Sequence, residues 1–401
     1  MTSESLSRLG AWRVPIALGL VVAVAVVAML VLVGRDDRDA RGRVQASLAV
    51  AGALDAGTVE GYARAIAPRD LVFPADHGPH PEFRTEWWYY TGNLTAAGGR
   101  HFGFQLTFFR TALVPPAASD ARLAARASAW ASDQVYLAHF ALTDTRGARF
   151  RAWSRASREA LGLAGAQAEP FRVWLEDWSV SGEAPTGLPM TLRAVEGDVA
   201  VTLTLDSAKP PALHGDRGLS RKGPEPGNAS LYYSLTRMPT RGEVRVAGET
   251  FPVTGLAWMD REWSTSALGT NLVGWDWLAL QLDDGRDLMF YRLRRRDGTA
   301  DPFSAGSIVD ARGAARALSR DDVRIDVLGT WTSPASRVRY PSGWRLIVPR
   351  EDLTLEIAPR LADQELRVGT RYWEGAVTVR GTTAGRPITG QGYVELVGYG
   401  E

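Results

Sequence analysis

The sequence contains no cysteine, which excludes disulfides, thiolate metal sites, a cysteine nucleophile and an acylated lipoprotein cysteine. It carries no excess of either charge, with 46 basic against 45 acidic side chains, so no nucleic-acid surface is expected. No Gly-x-Ser-x-Gly elbow, phosphate loop or dinucleotide fingerprint occurs. Helix-period segments are few, the best being Ala117 to Ala131. Glycine and proline are plentiful instead, 41 and 22, and are spaced between short apolar runs. That pattern reads as a turn-rich β protein. At 401 residues the chain is long for one core and suggests two domains with appendages.

A single long apolar run occurs, Val14 to Val33, without a charge. It is long enough to cross a bilayer core of roughly 30 Å. Arg8 and Arg13 precede it, which favours a cytoplasmic N-terminus and an exported body. A cleaved signal peptide is the alternative, but its apolar core is normally only ~7–15 residues and ends at a small-residue site. Here the run ends in Leu32-Val33-Gly34-Arg35-Asp36, so an uncleaved single-pass inner-membrane anchor is expected, with the body in the periplasm or outside the cell. The expected organisation is 1–34 tip and anchor, 35–72 tether, 73–266 first domain and 267–401 second domain.

Strands are expected at Glu86–Leu94, Phe102–Phe109, Val135–Thr143, Val173–Ser181, Met190–Ala194, Val199–Leu205, Ser230–Leu235 and Glu243–Val246. In the second half, Trp277–Leu282 and Leu288–Leu293 flank Asp283-Asp284-Gly285-Arg286 as a hairpin. Strands recur at Ser307–Asp310, Val323–Gly329, Trp344–Val348, Leu353–Ile357, Trp373–Val379 and Pro387–Leu396. Leu213 to Asn228 has too many turn residues for a strand and reads as a long functional loop. The halves echo each other: Trp88–Leu94 then Gly99-Arg100, and Trp277–Leu282 then Gly285-Arg286.

The candidate chemistry centres on Leu256 to Trp277, which holds Trp258, Trp263, Trp275 and Trp277 with Asp260, Arg261, Glu262 and Asp276 among them. On a strand, residues two apart share a face, so Asp260 and Glu262 are expected to point together. Two carboxylates in a partly apolar site can separate into acid and base; an ion-pair lock between domains is the structural alternative. Glu86, beside Trp87 and Trp88, is either a polar group in a ligand cavity or a packed residue paired with Arg84 or Arg110. His77 and His80 with Asp76 read as a capped turn rather than a metal site, and no metal or cofactor is expected. His139 reads as a satisfied core or cavity histidine; His214 and Asp216 are loop candidates. Ser220 and Ser264 are the serines in suggestive places.

Phe73-Pro74-Ala75-Asp76-His77-Gly78, Glu86–Leu94, Phe104–Arg110, Asp260–Ser264 and Gly274–Trp277 together resemble the family joining AttH-type proteins to carotenoid 1,2-hydratases (hydroxyneurosporene synthases). The resemblance covers about Phe73 to Glu401. It implies an all-β fold of two tandem lipocalin-like antiparallel β-barrel domains. Relatives carry the label of predicted secreted hydrolase or lie beside ABC-transporter permeases. The hydratase branch has a histidine two residues before the tryptophan matching Trp263; here that position is Arg261, a poor proton donor. The matching tyrosine is Tyr291, and Leu293 stands where an aspartate is expected.

The expected protein is therefore a membrane-anchored exported binder of a large apolar ligand such as an isoprenoid, carotenoid or lipid. The alternatives are a hydratase, isomerase or hydrolase with Asp260 and Glu262 as acid and base and Tyr291 assisting, or an ABC-transporter accessory protein. Glu86, Trp87, Trp88, Arg261, Trp263, Trp275, Asp276 and Trp277 are the expected ligand contacts.

Overall fold

The computed structural model describes residues 59–119, 132–265, 269 and 271–400. The expected anchor and most of the expected helix at Ala117 to Ala131 lie outside them. Among the described residues, no helix is long and apolar enough to cross a membrane. The described residues all belong to one compact unit, Ala49–Glu401, and its fold is all-β.

The first sheet begins with four long strands, β1 Thr85–Ala96, β2 His101–Ala112, β3 Gln134–Asp144 and β4 Arg149–Arg158. Shorter ones follow: β5 Ala164–Gln167, β6 Arg172–Leu175, β7 Trp178–Gly182, β8 Met190–Glu196 and β9 Val199–Leu205. β10 Ala212–Leu213 and β11 Leu219–Arg221 precede the long pair β12 Ala229–Val246 and β13 Glu249–Ser264. The hydrogen-bonded order is β4-β3-β2-β1-β13-β12-β9-β8-β7-β6-β5, with β10 and β11 also on β12. β6, near one end of that path, packs on β2, β3 and β4 at the other, so the sheet curls around its own core. Trp88, Phe104, Phe140, Trp178, Leu192, Val201 and Val244 meet inside it.

The second sheet is built from β14 Leu272–Leu282, β15 Asp287–Arg295, β16 Ala305–Val309, β17 Ala315–Ser319 and β18 Arg324–Val327. β19 Thr330–Thr332 and β20 Arg339–Pro341 form a separate small ribbon. β21 Trp344–Val348, β22 Leu353–Pro359, β23 Glu365–Val368, β24 Thr370–Thr383 and β25 Arg386–Val397 complete the second sheet. Its order is β17-β16-β15-β14-β25-β24-β22-β21-β18, with β23 on β24. Leu280, Phe290, Trp344, Leu355, Trp373 and Val394 fill its concave side.

Three expected strands differ. Val173–Ser181 is a hairpin, β6 and β7, because Glu176 takes a positive φ of 56° and turns the chain. Ser230–Leu235 and Glu243–Val246 are one strand, β12, broken only by a register shift between Leu235 and Met238.

The two sheets pack through their central strands. Tyr89, Tyr232, Trp258, Trp277, Met289, Tyr291 and Tyr393 form a third apolar cluster between them. Gly103 on β2 has no Cβ where one would stand 2.6 Å from the Ala376 Cβ on β24, so glycine permits the close approach. An ionic lock closes another part of the interface. Lys209 Nζ lies 2.6 Å from Asp287 Oδ2, and Arg237 Nη2 lies 2.7 Å from Oδ1.

Candidate active site

Strand register builds the site. In the first sheet one row runs Leu137–Phe109–Trp87–Glu262–Tyr232, and the next on that face runs His139–Thr107–Tyr89–Asp260–Ser234. In the second sheet one row runs Glu374–Glu395–Trp277–Tyr291, and its neighbour runs Tyr372–Val397–Trp275–Leu293. Alternation along each strand turns these rows toward one another. They enclose a cavity of about 190 Å³ whose wall includes Trp87, Tyr89, Asp260, Glu262, Trp277, Tyr291 and Glu395. Half-buried Phe109, Thr111, Val135, Thr370 and Val397 mark where it nears the surface.

Asp260 is the most constrained group on this wall. Its Oδ1 accepts from Trp258 Nε1 at 2.5 Å and from the Ser234 hydroxyl; Oδ2 accepts from the Tyr232 hydroxyl. Burial pushes its pKa up to about 7, even though those donors favour the anion. Behind Ser234 stands His214, with Nε2 2.6 Å from the Ser234 hydroxyl and Nδ1 3.0 Å from that of Ser307. Burial and then Lys222 lower the His214 pKa to about 3, so this ring is neutral.

Two residues along the strand, Glu262 lies 3.2 Å from Lys222 Nζ and accepts from the Ser230 hydroxyl. The same ammonium sits 3.2 Å from Ser220 Oγ and 3.8 Å from the centre of the Tyr291 ring. Ser220 Oγ and the Tyr291 hydroxyl are 2.8 Å apart. Burial disfavours the Lys222 charge, but Glu262 and Tyr291 overcome this and raise its pKa. On the facing wall, Glu395 Oε1 accepts from Trp275 Nε1 at 2.5 Å, and Glu374 Oε1 accepts from the Tyr89 hydroxyl at 2.5 Å. Burial lifts the Glu395 pKa to about 7 and, with Glu395 beside it, that of Glu374 well above the carboxylate range.

The AttH-like family model matches residues 64–399. The chain belongs to the AttH-like family. The crystal structure of an AttH candidate from Nitrosomonas europaea superposes with a TM-score of 0.73 and 36% identity, covering 84% of this chain and 99% of that one. Kievitone hydratase of Fusarium solani subsp. phaseoli is 26% identical over 222 residues, 51% of this chain; the match spans 59% of that protein's length. Kievitone hydratase from Nectria haematococca has a related fold, with a TM-score of 0.63 at 16% identity over 84% of this chain and 95% of that one.

In this AttH-like protein the cavity brings together Asp260, Glu262, Tyr291, Trp87, Trp275 and Trp277. The other expected ligand contacts stand elsewhere, because the pleat sends alternate residues to the opposite face. Glu86 accepts from both Arg110 and Arg261 in a fully buried cluster. Trp88 lies in the first core with the Arg261 guanidinium 4.0 Å from its ring, and Trp263 stacks on His80 at 3.8 Å. Asp276 turns away to Arg294 Nε at 3.0 Å and to the Tyr399 hydroxyl at 2.8 Å.

His77 bonds Tyr233 and His80 bonds Asp76, and among the described residues no group of three or more His, Asp or Glu side chains is arranged to hold a metal. His139 stands on the cavity wall, with Nδ1 2.8 Å from the Tyr372 hydroxyl. The expected long loop starts at the last residue of β10, contains β11, and delivers His214, Ser220 and Lys222 to the site. Sequence reasoning did not single out Lys222, Tyr232, Ser234, Glu374 or Glu395.

Proposed function

We propose that this protein is an acid–base enzyme that adds water to, or removes it from, an apolar alkene-bearing molecule held between the two sheets. The observation that carries this reading is the Asp260 carboxyl, with a pKa near 7, on a wall of tryptophan and tyrosine. The similarity to kievitone hydratases supports it. A cavity of about 190 Å³ is comparable to the ~150 Å³ cavity that binds benzene, so its enclosed part suits a ring-sized group. Any longer portion of the ligand then extends through the mouth.

In the forward direction the Asp260 O–H bond breaks and its proton forms a C–H bond with one alkene carbon, using the π electrons. The cation left on the other carbon faces the Trp87 and Trp277 rings. A water oxygen bonds to that carbon and gives its proton to the Glu262 carboxylate. Proton return from Glu262 to Asp260 closes the cycle, with one water added to the alkene.

The test uses α-methylstyrene, a nine-carbon alkene that gives a tertiary benzylic cation, in oxygen-18-labelled water. The tertiary alcohol should carry the label, and Asp260→Asn should slow its formation by ~10²–10⁴-fold while retaining binding. No labelled alcohol above the buffer control, or an unchanged rate in the variant, would sink this reading. Binding without turnover would leave the carrier reading, which the aromatic lining also supports.

We also propose that the two curled sheets are a tandem of lipocalin-like barrels and that residues 14–33 anchor them outside the inner membrane, with an ABC-transporter permease as a candidate partner. Fractionation and co-purification of the full chain from membranes test both points: recovery as a soluble protein free of any permease would remove them.

A further inference from the structure

Glu374 and Glu395 are direct cross-strand partners on β24 and β25, with both side chains on the cavity-facing side of the sheet. Like charges directly opposite one another are unfavourable even at a surface. Here Glu374 is fully buried, and among the described residues no arginine or lysine forms an ion pair with either carboxyl. Their donors are neutral, Tyr89 to Glu374 and Trp275 to Glu395. Glu374 Oε2 receives no hydrogen bond among the described residues, and the residue directly opposite Glu374 on the neighbouring strand is Glu395. Two carboxyls can hydrogen-bond to each other only when at least one holds a proton. Glu374 therefore keeps a proton and turns it to Glu395, and burial holds Glu395 toward its own neutral form as well, so that a second O–H, on Glu395, is left for the cavity.

Such a pair contributes an O–H donor to an otherwise aromatic wall. A carboxylic acid held neutral in an apolar site is suited to donate to a ligand oxygen. Its side of the cavity faces Asp260 and Glu262 across the gap between the sheets. We propose that the Glu374–Glu395 pair is a specificity element, with Glu395 donating a hydrogen bond to a carbonyl or phenol oxygen at one end of the ligand. The preferred ligand is then an oxygenated apolar molecule rather than a plain hydrocarbon. This rests on the cavity reading above and deepens it by naming the ligand class. Glu395 touches the ligand; Glu374 is a positioning residue.

Acetophenone and α-methylstyrene have the same shape and differ by an oxygen in place of a CH2 group. Titration calorimetry on the full chain gives the ratio of their dissociation constants, ketone over alkene, which cancels general changes in cavity shape. Glu395→Leu should raise that ratio about tenfold, the loss of one hydrogen bond. Glu395→Gln, which keeps an N–H donor at the same place, should restore it to within about threefold of the parent. An unchanged ratio in Glu395→Leu overturns the donor proposal alone, provided both probes bind. Failure of either probe to bind the parent protein overturns the cavity reading and this inference with it.

Discussion

Trp277 donates its indole N–H to the Tyr232 oxygen 3.2 Å away, and the same phenol donates to Asp260. A residue of the second sheet thus fixes the rotamer of a residue of the first, which in turn stabilises the Asp260 anion. Burial is nonetheless the larger influence, and the carboxyl pKa stands near 7. Tyr232→Phe removes one donor to the charged form and should raise that pKa further. The alkaline limb of the hydration rate should move up by about one on the pH scale. A pH–rate profile checks this, and a limb that stays in place would detach Asp260 from the reaction.

The same carboxyl makes stability depend on pH. The folded pKa, about 7, lies above the ordinary 3.8, so its contribution is fully present below about pH 4. It is lost as pH rises through 7, and flat beyond. Asp260→Asn is neutral throughout and lacks that loss. The stability of the parent relative to Asp260→Asn should therefore fall between about pH 4 and pH 7, by on the order of a few kcal/mol. Urea unfolding of both proteins across that range measures it. Parallel curves would mean that Asp260 is ionised at neutral pH.

Asp287 ties the sheets together by accepting from Lys209, Arg237 and Thr236. It is fully buried, and Lys209 is nearly so. Removing the carboxylate leaves two cations facing each other inside the interface. Asp287→Ala should lose ~3–5 kcal/mol in urea unfolding, with the joint between the sheets opening first. Hydrogen exchange along β12 and β15 should rise before that of the cores. A loss below about 1 kcal/mol would show that water reaches these charges.

Part of this site was legible because strand alternation is local. Asp260 and Glu262 stand two apart, and that spacing alone sets them on one face. Trp88 and Trp277 hold matching places in the apparent repeat, yet they face different ways for the same reason. Trp88 stands six residues before Leu94, whereas Trp277 stands five before Leu282. The odd offset puts Trp277 on the cavity side while Trp88 shares the core face with Leu94. The Glu374–Glu395 pair needed a register. It follows from a two-residue turn at Ala384 and Gly385, both at positive φ, which sets Thr383 opposite Arg386 and every later pair with them. Ala-Gly is a weak turn signal beside Asn-Gly, so the register did not stand out. Lys222 and His214 come from a loop whose path depends on pairing with β12, and no local pattern encodes that.

Glu86 shows how the same sequence run can hold two kinds of residue. Its neighbours Trp87 and Tyr89 face the cavity, yet Glu86 itself is enclosed by Arg110, Arg261 and His80. Burial disfavours its charge, but the two guanidiniums overcome this and hold the carboxyl well below its ordinary range. Glu86→Gln would leave both arginines buried without their counter-charge, a loss of ~3–5 kcal/mol. Binding of α-methylstyrene by the molecules that remain folded should stay within about twofold, because the altered side chain lies on the far side of β1 from the ligand. Unfolding and binding measured on the same preparation separate the two effects. A stable variant with weakened binding would return Glu86 to the ligand site, and would require β1 to be rotated from the register described above.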